Sequence, residues 1–186
     1  MIDLNNIRNY SITRPDAWTL FGSPEDYDNF PQEHKDQIIF LNKSADKFIY
    51  SFAASAHIVS DEPSNPFSKN NFKVIEEYKE IAEESKLKKW LYNRGVPFKS
   101  WVFVLPTYND FSIYTTWKMI IKYNQTIFFS SDVLIFDKTL NWCLFYFHHD
   151  HLFFGKGNVY DPTEEYKKME QLNELKGKYP DIKFPY

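Results

Sequence analysis

Three of the five histidines in this chain fall within four residues: His148, His149 and His151, with Asp150 between them and the only cysteine, Cys143, just upstream. Imidazoles and carboxylates are the groups that hold zinc or pass protons near neutral pH. Metal ligands must converge, however. On a strand His149 and His151 point to one face, and His148 and Asp150 to the other. Structural zinc takes four protein ligands, and catalytic zinc three with a water. The remaining ligands would have to come from His34, His57 or distant carboxylates, and no H-E-x-x-H or paired C-x-x-C spacing supplies them. The flanks "WCLFYF" and "LFF" are apolar runs of strand length, and the four polar residues between them, His148 to His151, make a common hairpin connection. The cluster therefore reads as a solvated turn, with no cofactor expected. Cys143 lies among Trp142, Leu144 and Phe145, which predicts a buried, inert thiol. The chain contains no G-x-S-x-G elbow, no G-K-[ST] phosphate loop and no calcium-type aspartate ladder.

The other groups that could act together are carboxylates. Glu25, Asp26 and Asp28 form one cluster, Glu76, Glu77, Glu80, Glu83 and Glu84 a second, and Asp161, Glu164 and Glu165 a third. The ordinary reading is a solvated helix face with acidic bias near its start. The functional reading is an acidic surface that steers a basic partner, for which the first two clusters are the candidate binding residues.

These groups need elements to position them. Residues 1–30 carry Pro, Gly and Asp between aromatics, which predicts an irregular segment pinned by Trp18, Phe21 and Phe30. "PQEHKDQIIFLN" reads as a helix with Pro31 at its first position. Ser44 then caps a helix with Phe48, Phe52 and Ala56 at four-residue spacing. "VSDEPSNPFSKNN" is a loop. Residues 71–97 read as one long helix: Val74, Tyr78, Ile81 and Ala82 form a stripe that Leu87, Trp90 and Leu91 continue, and Gly95 with Pro97 stops it. "SWVFVLP" is a strand. Asp110 caps a second long helix with Ile113, Trp117, Ile120 and Ile121 on one face. From Gln125 to Gly157, β-branched and aromatic runs alternate with short polar groups, the pattern of an antiparallel meander. A C-terminal helix starts at Asp161 or Thr163 and ends at Gly177 and Pro180. The expected architecture is α+β, with helices packed on one face of a mainly antiparallel sheet, in a single domain over 1–186.

Composition narrows the classes. A chain of 186 residues can bury about 70% of its unfolded surface and needs no disulfide or metal to build a core. Nineteen per cent of it is aromatic, with 18 Phe, 13 Tyr and 5 Trp, enough to fill a core and leave some rings at the surface. A formal net charge of -3 argues against direct nucleic-acid binding. Five glycines argue against phosphate loops and repeats. No stretch approaches the roughly 20 apolar residues of a membrane helix, and "MIDLNNIRNY" does not read as a secretory signal, so a cytoplasmic chain without membrane contact is expected.

The segment "SSDVLIFDKTLNWCLFYFHHDHLFFGKG", in which short aromatic strands surround an Asp-rich turn and a W-x-x-x-Y/F strand, resembles the sheet-forming C-terminal part of immunity proteins from bacterial contact-dependent and polymorphic toxin systems. The resemblance implies a non-enzymatic cytoplasmic inhibitor that covers an active or essential surface of one cognate toxin domain, a basic nuclease being a natural partner. It assigns no residue. Two rival readings are a metal-dependent hydrolase using the His148–His151 cluster and a carbohydrate-binding module that stacks sugars on exposed rings.

Overall fold

The computed structural model describes residues 2–56, 58, 67, 71–107, 111–129, 131–159, 174, 177 and 178. The strands are β1 Ser11–Ile12, β2 Ile38–Leu41, β3 Phe72–Tyr78, β4 Trp101–Pro106, β5 Ile113–Thr116, β6 Val133–Phe136, β7 Trp142–Phe147 and β8 His151–Asn158. They form one sheet in the order β1-β2-β5-β4-β6-β7-β8-β3. Every neighbouring pair is antiparallel. The helices are α1 Pro24–Asp28, α2 Gln32–Lys35, α3 Lys43–Ser55, α4 Glu84–Tyr92, α5 Trp117–Lys122 and α6 Asn124–Ile127. The architecture is α+β.

Period-two alternation divides the central strands between two cores. Val102, Val104, Val133, Ile135, Leu144, Tyr146, Leu152 and Phe154 face one core, which α4, α5 and α6 complete with Leu87, Leu91, Trp117, Ile120 and Ile127. Phe103, Leu105, Leu134, Phe136, Cys143 and Phe153 face the other, covered by Ala45, Ile49 and Ala53 of α3 and by Ile7. Most helices thus lie on one face and α3 on the other. Cys143 is fully buried, and its desolvation pushes the thiol well above its ordinary pKa.

Several boundaries differ from the sequence reading. The long helix expected over 71–97 is the strand β3 followed by the helix α4. The helix expected from Asp110 is the strand β5 followed by α5. In both cases a run of β-branched and aromatic residues (Val74-Ile75, and Ile113-Tyr114-Thr115-Thr116) pairs with a neighbouring strand before the helix begins. The helix after Pro31 ends at Lys35, Pro31 being its N-cap, and "IIFL" becomes β2. The cap of α3 is Asn42, whose side chain accepts from the N–H groups of Ser44 and Ala45. Its buried stripe is Ala45, Ile49 and Ala53, one residue along from Phe48 and Phe52, which are partly buried. Trp18 does not pin the N-terminal segment, being 61% exposed. Phe21 does, packed edge-on against Phe30 and Tyr123, and Arg14 ties the segment together by donating to the carbonyls of Pro15, Ala17 and Gly22.

The β6–β7–β8 meander follows the sequence reading. Gly155 of β8 has a specific use there. A Cβ at that position would lie 2.5 Å from the Phe72 ring, so the bare backbone is what admits the first residue of β3. The start of the expected C-terminal helix at Asp161 or Thr163, its stop at Pro180, the carboxylates Glu164 and Glu165, the Asp110 cap, His57 and most of the loop over 59–71 lie outside the described residues.

Candidate functional site at the histidine turn and the β3–α4 edge

β7 and β8 are joined by the three residues His148–Asp150, with Phe147 paired to His151 across the mouth of the hairpin. Asp150 adopts the left-handed conformation, φ 59°, which Asp tolerates and a three-residue hairpin loop needs. The histidines are drawn apart by different carboxylates. Asp132 precedes β6 and is buried. Its Oδ1 accepts from the backbone N–H of His148 at 2.8 Å and lies 2.8 Å from Nδ1 of the same residue. A carboxylate can only accept, so Nδ1 carries the proton and Nε2 is left as the ring's basic nitrogen. The Asp132 carbonyl also accepts from the N–H and hydroxyl of Thr107, joining the turn to the end of β4. His151 points elsewhere: its Nε2 is 3.1 Å from Oε2 of Glu77 on β3. Burial pushes the His151 pKa below its ordinary value, with Lys79 adding to the effect and Glu77 opposing it. His149 packs on its neighbours, 4.2 Å from the His148 ring and 4.9 Å from Phe147. The Tyr146 hydroxyl lies below the turn, 3.4 Å from both the Phe129 carbonyl and Asp150, and burial raises its pKa. Among the described residues no group of three His, Cys, Asp or Glu side chains converges as a metal would require. His34 is also elsewhere, buried on α2 with Nδ1 2.8 Å from the Tyr123 hydroxyl.

The five glutamates of the second acidic cluster run along the β3–α4 edge rather than down one helix, and each meets a basic side chain, four of them a lysine or arginine and Glu77 a histidine. Glu76 pairs with Arg94, Glu77 with His151, Glu80 and Glu83 with Lys86, and Glu84 with Lys88. Lys86 is raised in pKa by its hydrogen bonds to Glu83 and Glu80. The three lysine pairs are solvent-exposed, where water and salt screen the attraction and leave it little net strength. The first cluster lies on α1. Asp26 closes a capping box with Ser23, whose hydrogen bonds hold the Asp26 carboxyl below its ordinary pKa. Glu25 sits beside it in the first turn, and Asp28 ends the helix, its carbonyl accepting from Lys35. α1 packs on β2 through Tyr27 and Phe40. Since β2 and β3 lie toward opposite borders of the sheet, the two clusters are not brought together.

The sequence reading missed two features. Along α4, Glu84, Lys88 and Tyr92 recur every four residues and share one outer stripe. Tyr92, 60% exposed, meets the 46% exposed Phe98 of the following loop with ring centroids 5.5 Å apart. Only the spacing could have suggested this, and only once α4 was known to begin at Glu84. The second feature is a cleft of about 240 Å³ lined by Arg94, Pro97, Asp137, Asn141, Trp142 and Lys156. Arg94 is held there by the Trp90 carbonyl, by Glu76 and by the Trp90 ring face, and Asp137 accepts from the Trp142 indole N–H. The cleft is smaller than the roughly 300–1,000 Å³ of small-molecule sites. No helix among the described residues is long and apolar enough to cross a membrane. No family model, curated protein or solved structure matches this chain.

Proposed function

We propose that this chain is a non-enzymatic protein-binding inhibitor, an immunity protein that neutralises one cognate toxin domain by covering a surface the toxin needs. The observation that carries the reading is the Tyr92–Phe98 pair, two exposed rings in contact at the end of a helix stripe whose other end bears carboxylates. Aromatic anchors ringed by exchangeable charge are the usual make-up of a binding face. Here Tyr92 and Phe98 supply the apolar contact, while Glu80, Glu83 and Glu84 release Lys86 and Lys88 to meet a basic toxin surface. Glu25, Asp26 and Asp28 lie on a separate surface, and charge reversal at Glu25 is the internal control.

The test is to assay the proteins encoded by neighbouring genes for a toxin domain that this chain inhibits, with affinity measured by titration calorimetry. The double change Tyr92→Ala and Phe98→Ala is expected to weaken the complex by roughly 30-fold or more while leaving the melting temperature unchanged, since both rings are exposed. Glu83→Lys with Glu84→Lys is expected to slow association and reduce its salt dependence. A stoichiometric excess of the purified chain that leaves the toxin fully active would remove the reading.

A further inference from the structure

The two borders of the sheet are unequal. β1 contributes two residues, whereas β3 contributes seven, with no proline, and among the described residues it pairs with β8 alone. Lys73, Val74, Ile75, Glu76 and Glu77 are five consecutive exposed residues, Val74 and Ile75 being 51% and 38% exposed. An edge of this length and apolarity is a template for another strand. Natural edges are often protected by charge, but here the charges are arranged to complement their own reverse.

We propose that β3 pairs antiparallel with β3 of a second copy of this chain, about a two-fold axis through Ile75. In that register Ile75 opposes Ile75, Lys73 opposes Glu77 twice, Val74 opposes Glu76, and Phe72 opposes Tyr78. Lys73, Ile75 and Glu77 alternate onto one face, where Glu77 already meets His151 and Lys73 lies over Gly157. Directly opposed side chains on such a face are about 4.5–5.5 Å apart at Cβ, so the two Lys73–Glu77 pairs flank an apolar Ile75 contact. Neighbouring symmetric registers lack this match. Centring on Val74 sets Lys73 against Ile75. Centring on Glu76 sets Glu76 against itself and Lys73 against Lys79, like charges that oppose pairing. The product is a continuous sixteen-stranded sheet across two copies. The contact is small beside the roughly 1,200–2,000 Å² of stable interfaces, so the pair forms and separates with concentration. It is independent of what the α4 stripe binds.

Sedimentation equilibrium of the full chain from about 10 to 500 µM tests this, with circular dichroism to verify folding of each variant. The weight-average mass is expected to rise from 22.3 kDa toward twice that value. Ile75→Lys, which puts two cations on the axis at an exposed position, is expected to weaken association at least tenfold. Glu77→Lys or Lys73→Glu alone is expected to weaken it about threefold or more, and the two together to restore it. A mass that stays at 22.3 kDa throughout, an Ile75→Lys chain that associates like the unaltered one, or a double swap without recovery would each overturn the proposal.

Discussion

Two histidine–carboxylate pairs flank the β7–β8 turn, and they are built in opposite senses. In His148–Asp132 the acid is buried, 11% exposed, and the ring is open, 41%. In His151–Glu77 the ring is the more covered member, 17% exposed, and the acid is open, 55%. The separations, 2.8 and 3.1 Å, are nearly the same. What differs is which member has lost its water. A buried carboxylate depends on its donors and holds structure in place, whereas a partly buried imidazole beside an exposed acid responds to protons.

The difference can be broken from either side. Asp132→Ala removes the acceptor of the His148 N–H as well as its ring partner, and is expected to cost about 2–3 kcal/mol in urea unfolding. His148→Ala keeps the backbone donor to Asp132 and should cost only about 1 kcal/mol. For His151 the prediction concerns pH. Burial lowers its folded pKa from 6.5, so the unfolded chain takes up the proton first as pH falls. The stability of the neutral ring is present above pH 6.5 and is lost as pH drops through the lowered folded value. The urea midpoint should therefore decline from pH 7.5 to 5, and His151→Asn should flatten part of that slope. His34, also lowered by burial, retains the rest. The smallest effect belongs to Glu77→Gln. With its acid exposed, the loss at pH 7.5 should stay under about 0.5 kcal/mol, and a value near that of Asp132→Ala would erase the distinction between the pairs.

The meander, the polar hairpin turn, the strand β4 and the buried Cys143 were legible because alternation and polar punctuation agree there. The two misread long helices share one cause. A spacing of four residues returns to the same face in both a helix and a strand, so Val74 with Tyr78 and Ile113 with Trp117 fit either element. Only the three-residue steps, Tyr78 to Ile81 and Trp117 to Ile120, separate them, and these fall where the chain passes from strand toward helix. The density of Val, Ile, Tyr and Thr before those steps was the better guide. The candidate surface was legible as a list of glutamates but not as an arrangement. Their pairing with Arg94 and His151 depends on β3 lying against β8 and beside α4, contacts 18 and 74 residues apart in sequence. The Tyr92–Phe98 contact likewise waits on the turn at Gly95, φ 75°.

One hole in the backbone governs how the border strand is attached. Because the ring of Phe72 rests where residue 155 has no side chain, the seam between the last two strands is keyed like a peg in a socket. Even a methyl group there would push that ring aside and loosen the end of β3 that pairs with Asn158, leaving the ladder from Glu76 to Tyr78 to hold the strand.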